Sequence, residues 1–278
     1  KDTTKGFLFN FKQCSFIGIG VVALPSFFLN PYYSSSDTNF KNGQDVKTTI
    51  YGLEGGNDTF TLGFSNLNYS FQHSKNIDNL KSLYGNIHHG DALGDDGWSY
   101  FLYLGASLNW EDDFHPSENY NINPNAALTY HYDDELSLTL GAGGVINEYN
   151  SMAYPIVQVN FSNPKSDGLS FVLGFPKNTA TYRFNQYFAI NGELALNCDP
   201  AYQLKDNSVY ARKGYIEERS ASAEGSLVVT PADQFSAKIG VGYTFDRDIR
   251  FYDHDGRKIS KARLDNDWNF FVKGSLFF

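Results

Sequence analysis

The chain has 278 residues, enough for two ordinary soluble domains or one mid-sized barrel, and carries a formal net charge of −9. With Lys and Arg dispersed along an acidic chain, nucleic acid is excluded as a partner. Aromatic residues make up 17% (24 Phe, 19 Tyr) although the mean hydropathy is −0.39, and no apolar run reaches the roughly 18 residues of a membrane-crossing helix.

In chain order, the longest apolar stretch comes first, residues 16–24 behind Lys5 and Lys12. It faintly resembles the apolar region of a signal peptide. The chain starts at Lys1, so it is taken as already processed, with residues 1–20 a lead-in or first-strand segment and residues 21–278 a single β-barrel. No internal repeat, linker or break in composition divides it. Period-two alternation then predicts strands near 21–30, 45–54, 58–72, 81–91, 98–110, 123–132, 136–146, 153–162, 169–175, 179–184, 187–198, 215–229, 234–247 and 267–278. The apolar face switches between Phe64 and Leu67, which predicts a bulge.

The segment Trp98–Trp110 alternates most regularly, with Trp98, Tyr100, Leu102, Leu104, Ala106, Leu108 and Trp110 on one face. Twelve steps of roughly 3.3 Å, tilted by about 40°, span roughly 30 Å, close to membrane thickness. Trp98 and Trp110 are then expected in the two interfacial belts, with Trp268 in the outer one. Residues 169–175 and 179–184 are short and joined through Pro176, so an inturned hairpin would leave twelve strands instead of fourteen. The last strand alternates Trp268, Phe270, Val272, Gly274, Leu276 and Phe278 with residues that include Asn269, Lys273 and Ser275. One face suits lipid and the other a wetter interior.

A chain that stops on such a strand with a terminal Phe resembles bacterial outer-membrane β-barrel proteins. The resemblance implies a bacterial outer-membrane location, contact with outer-membrane lipid and lipopolysaccharide, and recognition of Phe270, Leu276 and Phe278 by the barrel-assembly machinery. It also implies short periplasmic turns (133–135, 184–186, 231–233) and longer extracellular segments (111–122, 199–214, 248–266). The run Gly168-Leu-Ser-Phe-Val-Leu-Gly-Phe-Pro176, followed by Thr181-Tyr-Arg-Phe184 and by residues 187–194, is similar to a pattern in uncharacterised outer-membrane barrels. That likeness is structural and brings no activity with it.

Enzyme signatures fail on spacing. The outer-membrane phospholipase pattern needs a His-x-Ser with Asn twelve residues beyond the Ser; His115-Pro-Ser117 is followed at that distance by Thr129. The outer-membrane protease dyad needs Asp-x-His, whereas Asp253 and His254 are adjacent and diverge on a strand. Asp255-Gly256 reads instead as the turn of an outer hairpin, with calcium at this acidic turn the weaker alternative. His88-His89 has no convincing further ligand, so no metal or cofactor is expected. Cys14 and Cys198 fall near opposite ends of the barrel and are not expected to pair.

Glu193, Glu224, Lys238 and Lys273 fall on the inward faces of the last four strands at similar heights. They form either a salt-bridged plug or a polar constriction, the plug being the plainer reading. Arg257, Lys258, Lys261 and Arg263 could touch lipopolysaccharide phosphates, but solvated rim charge is the simpler account. The expected function is a non-enzymatic barrel, a small-solute pore or an accessory subunit of an outer-membrane complex; the alternative is a barrel hydrolase.

Overall fold

The computed structural model describes residues 27–40, 45–72, 77–94, 96–112, 114–148, 151–163, 167–198 and 200–278. The lead-in, Cys14 and the first part of the expected strand 21–30 lie outside these residues.

Among the described residues sixteen strands follow in order: β1 (Phe28–Asn39), β2 (Asp45–Gly56), β3 (Phe60–Phe71), β4 (Ile77–Ala92), β5 (Trp98–Trp110), β6 (Tyr120–His131), β7 (Leu136–Val145) and β8 (Met152–Phe161). After them come β9 (Gly168–Phe175), β10 (Lys177–Arg183), β11 (Phe188–Cys198), β12 (Tyr202–Gln203), β13 (Tyr215–Ala232), β14 (Phe235–Tyr252), β15 (Lys258–Arg263) and β16 (Asp267–Phe277). Each wall strand pairs antiparallel with its neighbour, and the β13–β14 and β1–β16 ladders close the ring. With β12 and β15 outside the wall, the ring has fourteen strands. β9 and β10 hydrogen-bond to β8 and β11, so they are wall strands and the twelve-strand alternative does not hold.

The two faces are inverted relative to a soluble core. Leu62, Leu102, Leu104, Leu140, Ile190 and Val241 are about half exposed and point outward. Asn30, Thr48, Ser82, Asn86, Gln158 and Thr179 are buried and point inward. Apolar outside and polar inside is the signature of a strand that meets lipid on one face and a lumen on the other.

Connections at one end are short, and several are shaped by Asn or Asp side chains. Asn57 Oδ1 accepts from the amides of Thr59 and Phe60, and Asp133 Oδ1 from those of Glu135 and Leu136. Asn185 Oδ1 accepts from Tyr187 and Phe188. Such side-chain turns satisfy the donors that the tight reversal leaves free. The opposite end carries the long segments, including the β14–β15 hairpin whose tip holds Gly256 at φ 76°.

The seam where the ring closes is less regular. The β1–β16 register runs from Phe28↔Phe277 to Ser36↔Asn269 but omits Asn30 and Pro31, Pro having no N–H to donate. Beyond it Phe27 and Phe278 exchange backbone hydrogen bonds at 3.4 and 2.9 Å.

Three expectations are corrected. The first strand does not end near residue 30; β1 runs to Asn39 through a serine-rich stretch paired throughout with β2. The β14 strand does not end at 247. Its register against β13 jumps at Asp246, which has φ 49°, and the strand then continues to Tyr252. The added residue flips the side-chain parity, so Lys238 and Thr244 face inward below the bulge and Arg247, Ile249 and Phe251 above it.

The third correction concerns β3. Its pairing with β2 is unbroken from Phe71 to Thr61, so no bulge separates Phe64 from Leu67. Phe64 faces out, whereas Leu67, Tyr69 and Phe71 share the inward parity of Ser65 and are buried. What changes along β3 is the chemistry of the interior, from polar to apolar. The irregularity lies on β4, where Asn79 has φ 59°.

Candidate functional site

Near the turn end the lumen carries a charged belt. Glu193 and Glu224 are register partners on β11 and β13, and Lys238 and Lys273 are register partners on β14 and β16. All four sequence-predicted residues are thus brought into one region of the wall. Like charges on adjacent partners are unfavourable on their own, and two further residues relieve them. Lys177 Nζ lies 2.6 Å from Glu193 Oε1, both side chains nearly fully buried. Lys273 Nζ lies 3.1 Å from Glu54 Oε1. Glu54 also accepts from Asn30 Nδ2 and from the Tyr84 hydroxyl, each at 3.1 Å.

Sequence reasoning missed Lys177 and Glu54. Lys177 follows Pro176 and looked like part of a turn, yet it shares the inward parity of Thr179 and Thr181. Glu54 lies beyond the exposed Tyr51 and Leu53, whose outward parity would have assigned it to the lumen. Counting both, the belt holds three cations and three anions and is electrically neutral.

The loop end is closed by an apolar core. Residues 200–214 enter the mouth as a strap. Within it, β12 pairs antiparallel with β13 through Tyr202↔Ile216 and Gln203↔Tyr215, and parallel with β5 through Gln203↔Trp110. β5 and β13 are seven strands apart around the ring in either direction, so they are diametrically opposed. A circular ring of this size would hold them about 28 Å apart, from a strand spacing of about 4.8 Å and a tilt of about 40°. With β12 between them, their loop ends stand only two strand spacings apart, about 10 Å. The end of β13 and the strap therefore span the mouth.

Tyr202, Leu204 and Ala211 of the strap pack with Val46, Leu67, Tyr69, Phe71, Ile77, Leu80, Ile216, Ile249, Phe251 and Leu264. This is why β3 turns apolar on its inner face. Polar ties lock the strap at its edges. Buried Glu111 accepts from the Lys205 amide at 2.9 Å and lies 3.0 Å from Lys205 Nζ, while its own amide donates to the Gln203 carbonyl. Gln203 Nε2 donates to Glu118 at 2.6 Å. Across the mouth, Tyr69 donates to Glu218 at 2.7 Å, and Arg247 ion-pairs with the same carboxylate at 2.9 Å. A cavity of about 200 Å³ between Ile77, Glu111, Lys205 and residues 207–210 is lined by the strap.

Above the Asp246 bulge β14 has left the apolar band. Burial alone would raise the Asp248 carboxyl, but hydrogen bonding to Lys261 and the Arg250 guanidinium outweigh it and hold the group below the usual carboxylate range. Burial and neighbouring Glu217 push the Tyr252 hydroxyl up to about 12, so it stays protonated and donates to Glu217 at 2.8 Å.

The other singled-out residues are placed as follows. Trp98 is exposed at the turn end of β5, its ring 5.0 Å from that of Tyr130. Trp110 and Trp268 sit toward the loop end, 4.8 Å from Phe114 and 4.9 Å from Tyr243. Phe270, Leu276 and Phe278 are exposed on the outer face of the seam. His88 and His89 diverge, toward the Phe101 and Tyr100 rings respectively. Beyond those residues, His131 hydrogen-bonds Ser99 at the turn-end rim. No cluster of three or more His, Cys, Asp or Glu side chains suited to a metal occurs among the described residues.

No family model and no curated protein matches the chain. Among solved structures it is similar to the KdgM porin, at 10% identity over 90% of this chain and 99% of that one, with a TM-score of 0.38. The NanC porin gives 11% identity, 91% and 100% coverage and a TM-score of 0.41. The translocator domain of the autotransporter NalP from Neisseria meningitidis gives 10%, 91% and 88%, and 0.39. The closed ring of fourteen antiparallel strands, apolar outside and polar inside, has by itself the architecture of a transmembrane β-barrel.

Proposed function

We propose that the protein is a non-enzymatic pore of a bacterial outer membrane, passing small polar solutes through a lumen whose extracellular mouth is closed at rest. The observation that carries this reading is the polar, charge-balanced lumen beneath a strap-sealed mouth. A ring of eight strands is filled by its own side chains, whereas one of sixteen leaves an aqueous channel. Fourteen strands fall near the wide end of that scale, so closure requires an added element, and residues 200–214 supply it.

The long-loop end faces outward in this reading and the short turns face the periplasm. Trp98 then sits in the inner interfacial belt and Trp110 and Trp268 in the outer. Phe270, Leu276 and Phe278 present the lipid-facing side of the final strand to the assembly machinery. Burial of Leu204 alone is worth about 1.5–3 kcal/mol, so a docking free energy near 3 kcal/mol leaves the undocked strap under about 1% populated.

The test is planar-bilayer conductance of the folded protein with and without residues 200–214, replaced by a short Gly-Ser link. Rare or absent openings for the intact chain and stable conductance for the deletion are expected. A folded, heat-modifiable deletion that stays silent would sink the pore. A second reading, an accessory subunit of an outer-membrane complex, is favoured by the apolar seal itself, because a permanent plug needs no opening.

A further inference from the structure

Two charges of the lumen belt are left over. Lys177 is paired with Glu193 and Lys273 with Glu54. Among the described residues Glu224 and Lys238 take part in no ion pair and no hydrogen bond; Lys238 Nζ instead lies 5.3 Å from the centroid of the Phe271 ring. The two sit on neighbouring strands. Glu224 is in register with Gly242, four residues toward the loop end from Lys238, a backbone offset of about 13 Å. The carboxylate and the ammonium therefore stand at different levels of the lumen, the cation nearer the turn end.

A third group marks the upper position. Asn269, in register with Gly242 on the far side, has a buried Oδ1 with no hydrogen-bond partner. A Cβ on Gly242 would lie 2.3 Å from that oxygen, so the glycine makes room for the amide. Glu224 and Asn269 thus offer two acceptors and no donor charge at one height, and Lys238 offers a cation below. A buried acceptor without a partner, as Asn269 Oδ1 is, is costly unless something donates to it; Glu224 beside it is only partly buried.

We propose that this stretch of the lumen binds a small zwitterion of the amino-acid or short-peptide class, its ammonium at Glu224 and Asn269 and its carboxylate at Lys238. The inference rests on the pore reading only for its access route, the periplasmic end of the lumen. A simple anion gains Lys238 but meets the field of Glu224, and a simple cation meets the reverse. A solute carrying both charges gains at each end. The belt's remaining charges, being paired, add no net preference.

The experiment is a saturation-transfer NMR titration of detergent-folded protein with glycine, β-alanine and diglycine, against acetate and methylammonium as single-charge controls. At least one zwitterion should bind roughly tenfold tighter than either control, as expected for charge-assisted hydrogen bonds made at both ends. Glu224→Gln and Lys238→Met should each remove that margin. The exchange Glu224→Lys with Lys238→Glu should restore it, because a zwitterion can reverse. Equal binding of the controls, no binding of any probe, or a margin indifferent to the variants would overturn the site. Zwitterion binding by a barrel that stays silent without its strap would sink the pore and leave the site. Conductance without such binding would do the opposite.

Discussion

Leu204 is the sharpest lever on the closed mouth. It is 2% exposed, at the centre of the cluster that joins strap, β3, β4, β13 and β14. Leu204→Ala removes most of its apolar surface and leaves a cavity, at a cost of about 2–3 kcal/mol, the lower part of the range for buried Leu→Ala. The wall strands keep their ladders, so the loss falls on strap docking. The open-to-closed ratio should therefore rise roughly 30- to 150-fold. Single-channel recording would show it as more frequent openings of unchanged step size. Hydrogen exchange at residues 202–204 should accelerate by the same factor. Faster exchange with no gain in openings would refute the idea that the strap is the barrier. Stable, full-size steps from the unaltered protein would refute closure itself.

Glu111→Ala strips the strap of a buried anchor that holds both the Lys205 amide and ammonium; openings should rise by about tenfold or more, matching about 1.5–3 kcal/mol for bonds to a charged group. Lys177→Met leaves Glu193 buried without its cation, so thermal unfolding in detergent should show a loss of about 3–5 kcal/mol, and Lys177→Met with Glu193→Leu should recover most of it. The Asp248 carboxyl sits below its ordinary value when folded, so its contribution is present above the unfolded carboxylate range and is lost as pH falls through the folded value. Hydrogen exchange in β15 should accelerate below about pH 4, and Asp248→Asn should flatten that dependence. In the open Leu204→Ala background, Lys238→Glu should shift the pore toward cations, read as a change in reversal potential under a salt gradient.

The wall was legible because lipid imposes a one-residue alternation that few other environments demand. Trp98–Trp110 and Phe235–Phe245 read directly as strands with their outward faces correct. Alternation reports that two faces differ, however, and not which of them is inside. Where the interior itself turns apolar, at Leu67, Tyr69 and Phe71, the same signal looked like a bulge. The serines of β1 were missed for the complementary reason, being polar on both faces where the strand leaves the apolar band. The strap has no period at all. Tyr202 and Leu204 take much of their apolar packing from β2, β3 and β4, far earlier in the chain, and nothing local records that. Of the belt, four residues were legible from parity and two were hidden at strand ends.

The seam at Pro31 bears on how such a ring comes to exist. Until β1 and β16 meet, both present bare edges, the condition that invites pairing with the wrong chain. Their ladder joins Phe28 to Phe277, roughly 250 residues apart, so closure carries the largest loop entropy of any contact in the wall. It also carries a gap, because the register skips Asn30 and Pro31 there. On this entropy ordering the wall zips along hairpins of neighbouring strands and leaves its most distant joint for last. A nascent ring held open at this joint offers a hydrogen-bonding template on either side, and the final strand is the one whose capture commits the whole cylinder to the bilayer.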